Sequence, residues 1–351
     1  MSATVADVLR GDARWSVSVG DCIDGLRAMP DGCAQTCVTS PPYYGLRDYG
    51  HAGQIGMEPT PQEFVARLVA VFAEVRRVLA DDGTLWVNIG DSYAGSWGAQ
   101  SRESGHNSPA SAAQIEAAPK RTRTGSVPKG CGVKPKDLYG IPWRLAFALQ
   151  DDGWFLRSDI VWAKPNPMPE SVTDRPTRAH EYVFLLTKRP RYFYDADAIR
   201  EESAVPASKF VAATGANTAK LHATDANDFR THARGGGGQL GSPGTRNARD
   251  VWAITPEPFG EAHFATMPPE LARRCILAGS RKGDVVLDPF GGAATTALVA
   301  LQHGRRALLC ELNPEYVEIQ RRRLADFAAD TSSPVRVEAP EWGALFAATK
   351  P

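Results

Sequence analysis

Two short stretches hold residue types that could do chemistry together. The first is Ser40-Pro41-Pro42-Tyr43, which follows Thr39 and the apolar run AQTCV. Each proline fixes its own φ and lacks an N–H donor, and Pro42 restricts Pro41 further. The corner is rigid, and its carbonyls can point outward without competing donors. Ser40 adds a hydroxyl acceptor. Two acceptors beside the Tyr43 ring suit a planar base with an exocyclic amine, the ring stacking while the acceptors hold the two amine hydrogens. Tyr43 is the first stacking candidate and Tyr44 the second. Taken alone, a Pro-Pro turn is also an ordinary structural corner.

The second stretch is Asp288-Pro289-Phe290-Gly291-Gly292, between the strand-like DVVL and the helix-like AATTALVALQHG. Glu311 ends the following strand, about twenty residues on, where an acidic residue can accept both hydroxyls of an adenosine ribose. G-x-G-x-x-G is absent, and bulky Phe290 precedes the adjacent glycines. A dinucleotide needs the glycine turn and helix N-terminus for its pyrophosphate, whereas a cofactor without phosphate does not. The pattern favours S-adenosyl-L-methionine over NAD. A tight strand–helix turn without a ligand is the plain alternative.

These stretches need a scaffold, and the apolar spacing supplies one. RWSVSVGD, AQTCVTS, TLWVNIGD, WFLRSDIVWAK, HEYVFLLTK, DVVLDPFGG and RRALLCELN read as strands. CIDGLRAM is a short helix closed by the turn PDG. PQEFVARLVAVFAEVRRVLADDG spaces its apolar residues three and four apart and reads as one amphipathic helix, with Pro61 in its first turn and Gly83 after its end. IPWRLAFALQDDG, PPELARRCILAGS, AATTALVALQHG and PEYVEIQRRRLADF are further helices, the last capped by Asn313 with Pro314 first. Strand–helix alternation at both ends predicts one α/β, doubly wound mixed sheet. Two stretches without periodicity interrupt it, 92–136 and 200–250, the second containing GGGGQLGSPG. The expected organisation is 1–91 and 137–199 as one half of the sheet, 251–330 as the other, the two insertions, and a tail at 331–351.

Forty basic and forty acidic residues leave no net charge, so the body does not advertise nucleic-acid binding. Locally the balance differs. Arg102, Lys120, Arg121, Arg123, Lys129, Lys134 and Lys136 face only Glu103 and Glu116 within 95–136, as a phosphate-contacting loop or a solvated one would. The six cysteines form no C-x-x-C pair, so neither a metal site nor a disulfide framework is expected. No apolar run of about 18 residues and no export signal is visible, and a reduced, cytoplasmic protein is expected without a membrane partner.

Taken together, TSPPY and DPFGG resemble the amino-group DNA methyltransferases, which methylate N4 of cytosine or N6 of adenine. VGDCIDGL, GTLWVNIGDSY, IVWAKPNPMPESVTDRPTRAHEYVFLLTK and RDVWAITPEPFGEAHFATMPPELARRCILAGS extend the likeness over most of the chain outside 92–136 and 200–245. Catalytic motif first and cofactor motif last is the β-class order. The resemblance implies a Rossmann-like fold, S-adenosyl-L-methionine as cofactor and double-stranded DNA as partner. It implies adenine contacts from Asp21 and Cys22, a ribose contact from Glu311, and a methionine side lined by Phe290, Gly291 and Gly292 after Asp288. His263, Phe264, Ala265 and Thr266 match the segment that closes over the cofactor's amino-acid end, and Ser40, Pro41, Pro42 and Tyr43 match the catalytic loop. Ser at the first motif position is commoner in N4-cytosine enzymes, and Asp or Asn in N6-adenine enzymes. The expected reaction is N4 methylation of a flipped cytosine, with N6 of adenine as alternative.

Carbon-5 methylation needs a thiolate, normally on a Pro-Cys element, and no Pro-Cys dipeptide exists here. A dinucleotide oxidoreductase, a non-enzymatic DNA-binding protein, and RNA or protein as substrate are the competing readings. The insertions are the expected DNA readers, with Arg121, Arg123 and Lys129 on phosphates and Arg246 and Arg249 as better-positioned side chains. A homodimer and a cognate restriction endonuclease are both left open.

Overall fold

The computed structural model describes residues 3–46, 51, 53–95, 132–203, 245–257 and 267–328. The chain divides into two compact units, 1–194 with 250–351, and 195–249.

The strands of the first unit are β1 (Trp15–Val19), β2 (Ala34–Thr39), β3 (Leu79–Ile89), β4 (Phe155–Ala163), β5 (His180–Thr187), β8 (Val251–Ala253), β9 (Val285–Asp288) and β10 (Arg306–Glu311). They form one eight-stranded sheet of order β1-β10-β9-β2-β3-β5-β4-β8. Neighbours from β1 to β3 pair in parallel, β5 pairs antiparallel with both β3 and β4, and β8 pairs in parallel with β4. Central strands are apolar on both faces, as helix-covered parallel strands must be; β9 and residues 84–89 of β3 are buried throughout.

The described helices of the unit are α1 (Val5–Arg10), α2 (Cys22–Arg27), α3 (Pro61–Val78), α4 (Ile141–Asp151), α5 (Pro269–Gly279), α6 (Thr295–Gln302), α7 (Pro314–Arg323) and α8 (Ala325–Ala328). Local chemistry fixes their starts: Thr60 Oγ1 accepts from Glu63 N, and Asn313 Oδ1 from Glu315 N. The buried stripe of α3 is Phe64, Leu68, Val71, Phe72 and Val75.

The amphipathic pattern of α3 overruns its true end. The helix stops at Val78, and Leu79 is already extended and paired with Ala34 of β2. Gly83 lies within β3 rather than after a helix, with Ala80 O and Gln35 O only 2.9 and 3.0 Å from where a Cβ would sit. Pairing with β2 overrides local helical spacing here.

The connections place a topological switch point between β9 and β2. From β2 the chain passes through α3 to β3 on one side; from β9 it passes through α6 to β10 on the other. Ligands of open α/β sheets bind outside the carboxyl ends of the strands at such a point. In the second unit, β6 (Glu201–Glu202) and β7 (Thr245–Arg246) form an antiparallel pair. Arg200 braces it by donating to Thr245 Oγ1 and Asn247 Oδ1.

Candidate active site

Both chemistry-bearing stretches emerge at this switch point. Ser40 follows β2 and Pro289 follows β9, and these strands are direct neighbours. Two hydroxyls tie them together. Thr39 Oγ1 donates to Asp288 Oδ1 at 2.6 Å, and Thr296 Oγ1 of α6 donates to the Val38 carbonyl at 3.2 Å. Residues 249 apart in sequence are thus joined beneath the crevice.

The turn after β9 is shaped by backbone geometry. Gly292 (φ 47°) and Ala294 (φ 61°) adopt the left-handed region, which swings the chain into α6. Gly291 N donates to Cys310 O, and Gly292 N donates to Glu311 Oε2 at 2.7 Å. The other Glu311 oxygen accepts from Asn313 N at 2.9 Å. The carboxylate is oriented, yet each oxygen keeps acceptor capacity for a hydroxyl. Burial raises its pKa above the usual carboxylate range, and the backbone N–H groups oppose that rise. An oriented carboxylate one strand from a turn of adjacent glycines fits an adenosine without phosphates.

At the end of β1, Gly20 N donates to Glu311 O, and Asp21 caps α2 by accepting from Ile23 N at 2.8 Å. The α2 backbone lies so close to β10 that a Cβ on Gly25 would sit 2.8 Å from Cys310 Sγ.

On the other side of the corner, Tyr43 is half-buried and its hydroxyl donates to Glu181 Oε2 at 2.5 Å. Asn88 Nδ2 donates to the same oxygen at 3.2 Å, and Lys164 pairs with Glu181 Oε1. The Lys164 ammonium also lies 4.4 Å from the centre of the Trp162 ring. Beside them Asp91 accepts from Gly140 N and Ile141 N, capping α4, and its carbonyl accepts from Arg178. Among the described residues, none hydrogen-bonds to the half-buried Ser40 hydroxyl.

Ser40, Pro41, Pro42, Tyr43, Asp21, Phe290, Gly291, Gly292 and Glu311 therefore share one sheet edge. Three other expected contacts are taken up by the fold. Tyr44 is 2% exposed, edge-on to Tyr139 and against Phe64, with its hydroxyl donating to Pro59 O. It is a core residue and not a stacking platform. Asp288 is 3% exposed, and its Oδ1 accepts from both Thr39 Oγ1 and Phe290 N, so this oxygen joins the strands. Burial pushes its pKa up to about 6, against the pull of the Thr39 hydrogen bond. Cys22 is a buried core residue whose thiol is pushed up to about 12, mainly by desolvation.

Arg246 and Arg249 both lie beside Glu201 Oε2, at 3.4 and 3.1 Å. His263, Phe264, Ala265, Thr266, Arg121, Arg123 and Lys129 fall outside the described residues. Sequence reading missed Thr39, Asn88, Lys164 and Glu181 as site residues. All four lie at or next to a strand end on the edge that carries the corner, the one signal that could have found them.

Among the described residues no helix is long and apolar enough to cross a membrane. A sequence profile of the N6/N4 DNA methylase family matches residues 34–322. The Type II methyltransferase M.Cfr9I of Citrobacter freundii is 48% identical over 305 residues, covering 87% of this chain and 86% of that protein. M.XycI of Xanthomonas campestris pv. cyanopsidis, also a Type II methyltransferase, is 48% identical over 317 residues, covering 90% and 89%. The PvuII DNA methyltransferase (cytosine-N4-specific) superposes with TM-score 0.56 at 19% identity, over 89% of this chain and 86% of that one. The Thermus thermophilus protein TTHA0409, solved with S-adenosyl-L-methionine, superposes with TM-score 0.51 at 24% identity, over 90% of this chain and 96% of that one. These last two likenesses show the fold. The chain belongs to the N6/N4 DNA methylase family of amino-group methyltransferases, which use S-adenosyl-L-methionine.

Proposed function

We propose that this chain methylates the exocyclic N4 of cytosine in duplex DNA. The observation that carries this reading is Ser40: a short hydroxyl side chain opens the corner beside the cofactor turn, uncommitted to any partner among the described residues. The cytosine-N4 specificity of the PvuII enzyme, a fold neighbour, supports it. N6 of adenine is the second reading, favoured by the 28% identity to the DNA adenine methyltransferase YhdJ over 48% of this chain.

S-adenosyl-L-methionine supplies an electrophilic methyl group on a sulfonium. Glu311 would hold its ribose, Asp21 the adenine side, and Phe290, Gly291 and Gly292 the methionine side, and residues 263–266 match the family segment at its amino-acid end. The target base leaves the duplex to enter the corner. Its amine is a poor nucleophile because the nitrogen lone pair is delocalised into the ring. Ser40 Oγ and the Pro41 carbonyl would each accept one amine hydrogen, which favours a pyramidal nitrogen and frees the lone pair for in-line attack on the sulfonium methyl; the N–C bond would form as the S–C bond breaks, leaving S-adenosyl-L-homocysteine, and the methylated nitrogen would release one proton to solvent. Tyr43 stacks on the base. Positioning and electrostatics supply most of the catalysis. None of the described cysteines is suited to act as a thiolate: burial raises the pKa of each, Cys22 to about 12 and Cys33 to about 11. The insertions 92–136 and 200–250 read the DNA, with Arg121, Arg123 and Lys129 on phosphates and Arg246 and Arg249 as the better-positioned side chains of the second insertion. Expressing the protein in a host without other methylases and mapping modified bases by single-molecule sequencing tests the reading. N4-methylcytosine at one recurrent sequence is expected; N6-methyladenine there would replace it with the second reading.

A further inference from the structure

The corner contains one side chain that its own backbone does not fix. Two prolines set Pro41 and Pro42, and Ser40 is short, but Tyr43 has two free side-chain torsions. Its ring is held from outside. A Cβ on Gly90 would come within 2.8 Å of Tyr43 Cε2 and 3.3 Å of Glu181 Cγ, so the ring lies against bare backbone on one side. At its far end the hydroxyl is held by Glu181. Glu181 is fixed in turn, with Asn88 on the same oxygen and Lys164 on the other. The Glu181 and Lys164 side chains are only 15% and 21% exposed.

A largely enclosed ion pair is weak evidence for stability, because desolvation can exceed the Coulombic gain, and apolar replacements often do as well. Its placement at the ligand edge, with a phenol as third member, points to a different use. We propose that Glu181, clamped by Lys164 and Asn88, is a positioning residue that fixes the Tyr43 ring as one wall of the target-base pocket. Glu181 touches neither base nor cofactor; it acts through Tyr43. The inference rests on the reading of Ser40–Tyr43 as the base corner. A misplacement of about 1 Å far from the reacting atoms can cost on the order of 100-fold in rate.

The test is a set of single-turnover rates with duplex DNA for Tyr43→Phe, Glu181→Ala, Glu181→Gln and the Tyr43→Phe/Glu181→Ala double variant. Glu181→Ala is expected to lower the rate about 10- to 100-fold with S-adenosyl-L-methionine affinity unchanged. Glu181→Gln recovers only part of that loss, since its amide oxygen can still accept from the phenol while its NH2 group faces the Lys164 ammonium and breaks the clamp. The double variant is no slower than the slower single variant. Multiplying losses, or a full-rate Glu181→Ala enzyme, overturn the proposal. Should Glu181→Ala not fold, Gly90→Ala replaces it by pushing the same ring from the other side. It must slow the wild-type enzyme yet add nothing to Tyr43→Ala, and a full-rate Gly90→Ala enzyme overturns the proposal. Ser40→Ala separates the two levels. A full-rate Ser40→Ala enzyme removes the base-corner reading itself, whereas a slow one with uncoupled Tyr43 and Glu181 removes only the positioning role.

Discussion

Replacing Thr39 with Val keeps the shape of the side chain and deletes the hydroxyl that joins the catalytic strand to the cofactor strand. The lost contact is a 2.6 Å hydrogen bond to Asp288, a carboxylate only 3% exposed. A hydrogen bond to a buried charged acceptor is worth about 1.5–3 kcal/mol, so about 2 kcal/mol of stability should go at pH 8. The sign of the pH dependence follows from Asp288. Burial raises its folded pKa from 3.8 to about 6. A carboxylate with a raised folded pKa contributes stability that is fully present below about pH 4 and is lost as pH rises through about 6. Removing the Thr39 donor raises that pKa further and deepens the loss at high pH. Urea unfolding at pH 5 and pH 8 should therefore show a larger Thr39→Val destabilisation at pH 8. Asp288→Asn should abolish the wild-type component of this dependence, on the order of 3 kcal/mol between the fully protonated limit below about pH 4 and the fully ionised limit above about pH 7. An equal or larger Thr39→Val effect at pH 5 would refute the reasoning.

Ser40→Ala should leave S-adenosyl-L-methionine binding intact and raise the barrier by about 2–4 kcal/mol, by analogy with lost oxyanion donors; near-normal single-turnover rates would remove Ser40 from the chemistry. Glu311→Ala should weaken the cofactor by calorimetry without changing which base is modified, because a carboxylate on ribose hydroxyls makes charge-assisted bonds. Neutralising Arg121, Arg123 and Lys129 should weaken all DNA sequences alike and reduce the log–log salt slope by about 0.9 for each lost phosphate contact. An unchanged slope would show that these residues do not meet the backbone.

The sheet was legible because the relevant signals are local. Apolar runs marked the central strands, and Pro61, Asn313 and Pro314 marked helix starts. The boundary between α3 and β3 was not legible, since RRVLADDG continues a helical spacing while the pairing of Leu79 with Ala34 is a long-range event. Tyr43 and Tyr44 are chemically alike and adjacent, and only the path of the chain after β2 sends one ring to the edge and the other into the core. Asp288 reads as a ligand contact in its motif, but its partner is Thr39, one strand over and 249 residues away. Glu181, Lys164 and Asn88 are single polar residues at strand ends and form no pattern until the antiparallel return of β5 brings them together.

The most direct test of the central claim is the identity of the nucleoside that receives the methyl group. Duplex DNA is incubated with the protein and methyl-labelled S-adenosyl-L-methionine, then digested to nucleosides and separated by chromatography with mass detection. The account predicts label in N4-methyldeoxycytidine, dependent on Ser40. Label in N6-methyldeoxyadenosine or 5-methyldeoxycytidine, or no transfer to DNA at all, would contradict it.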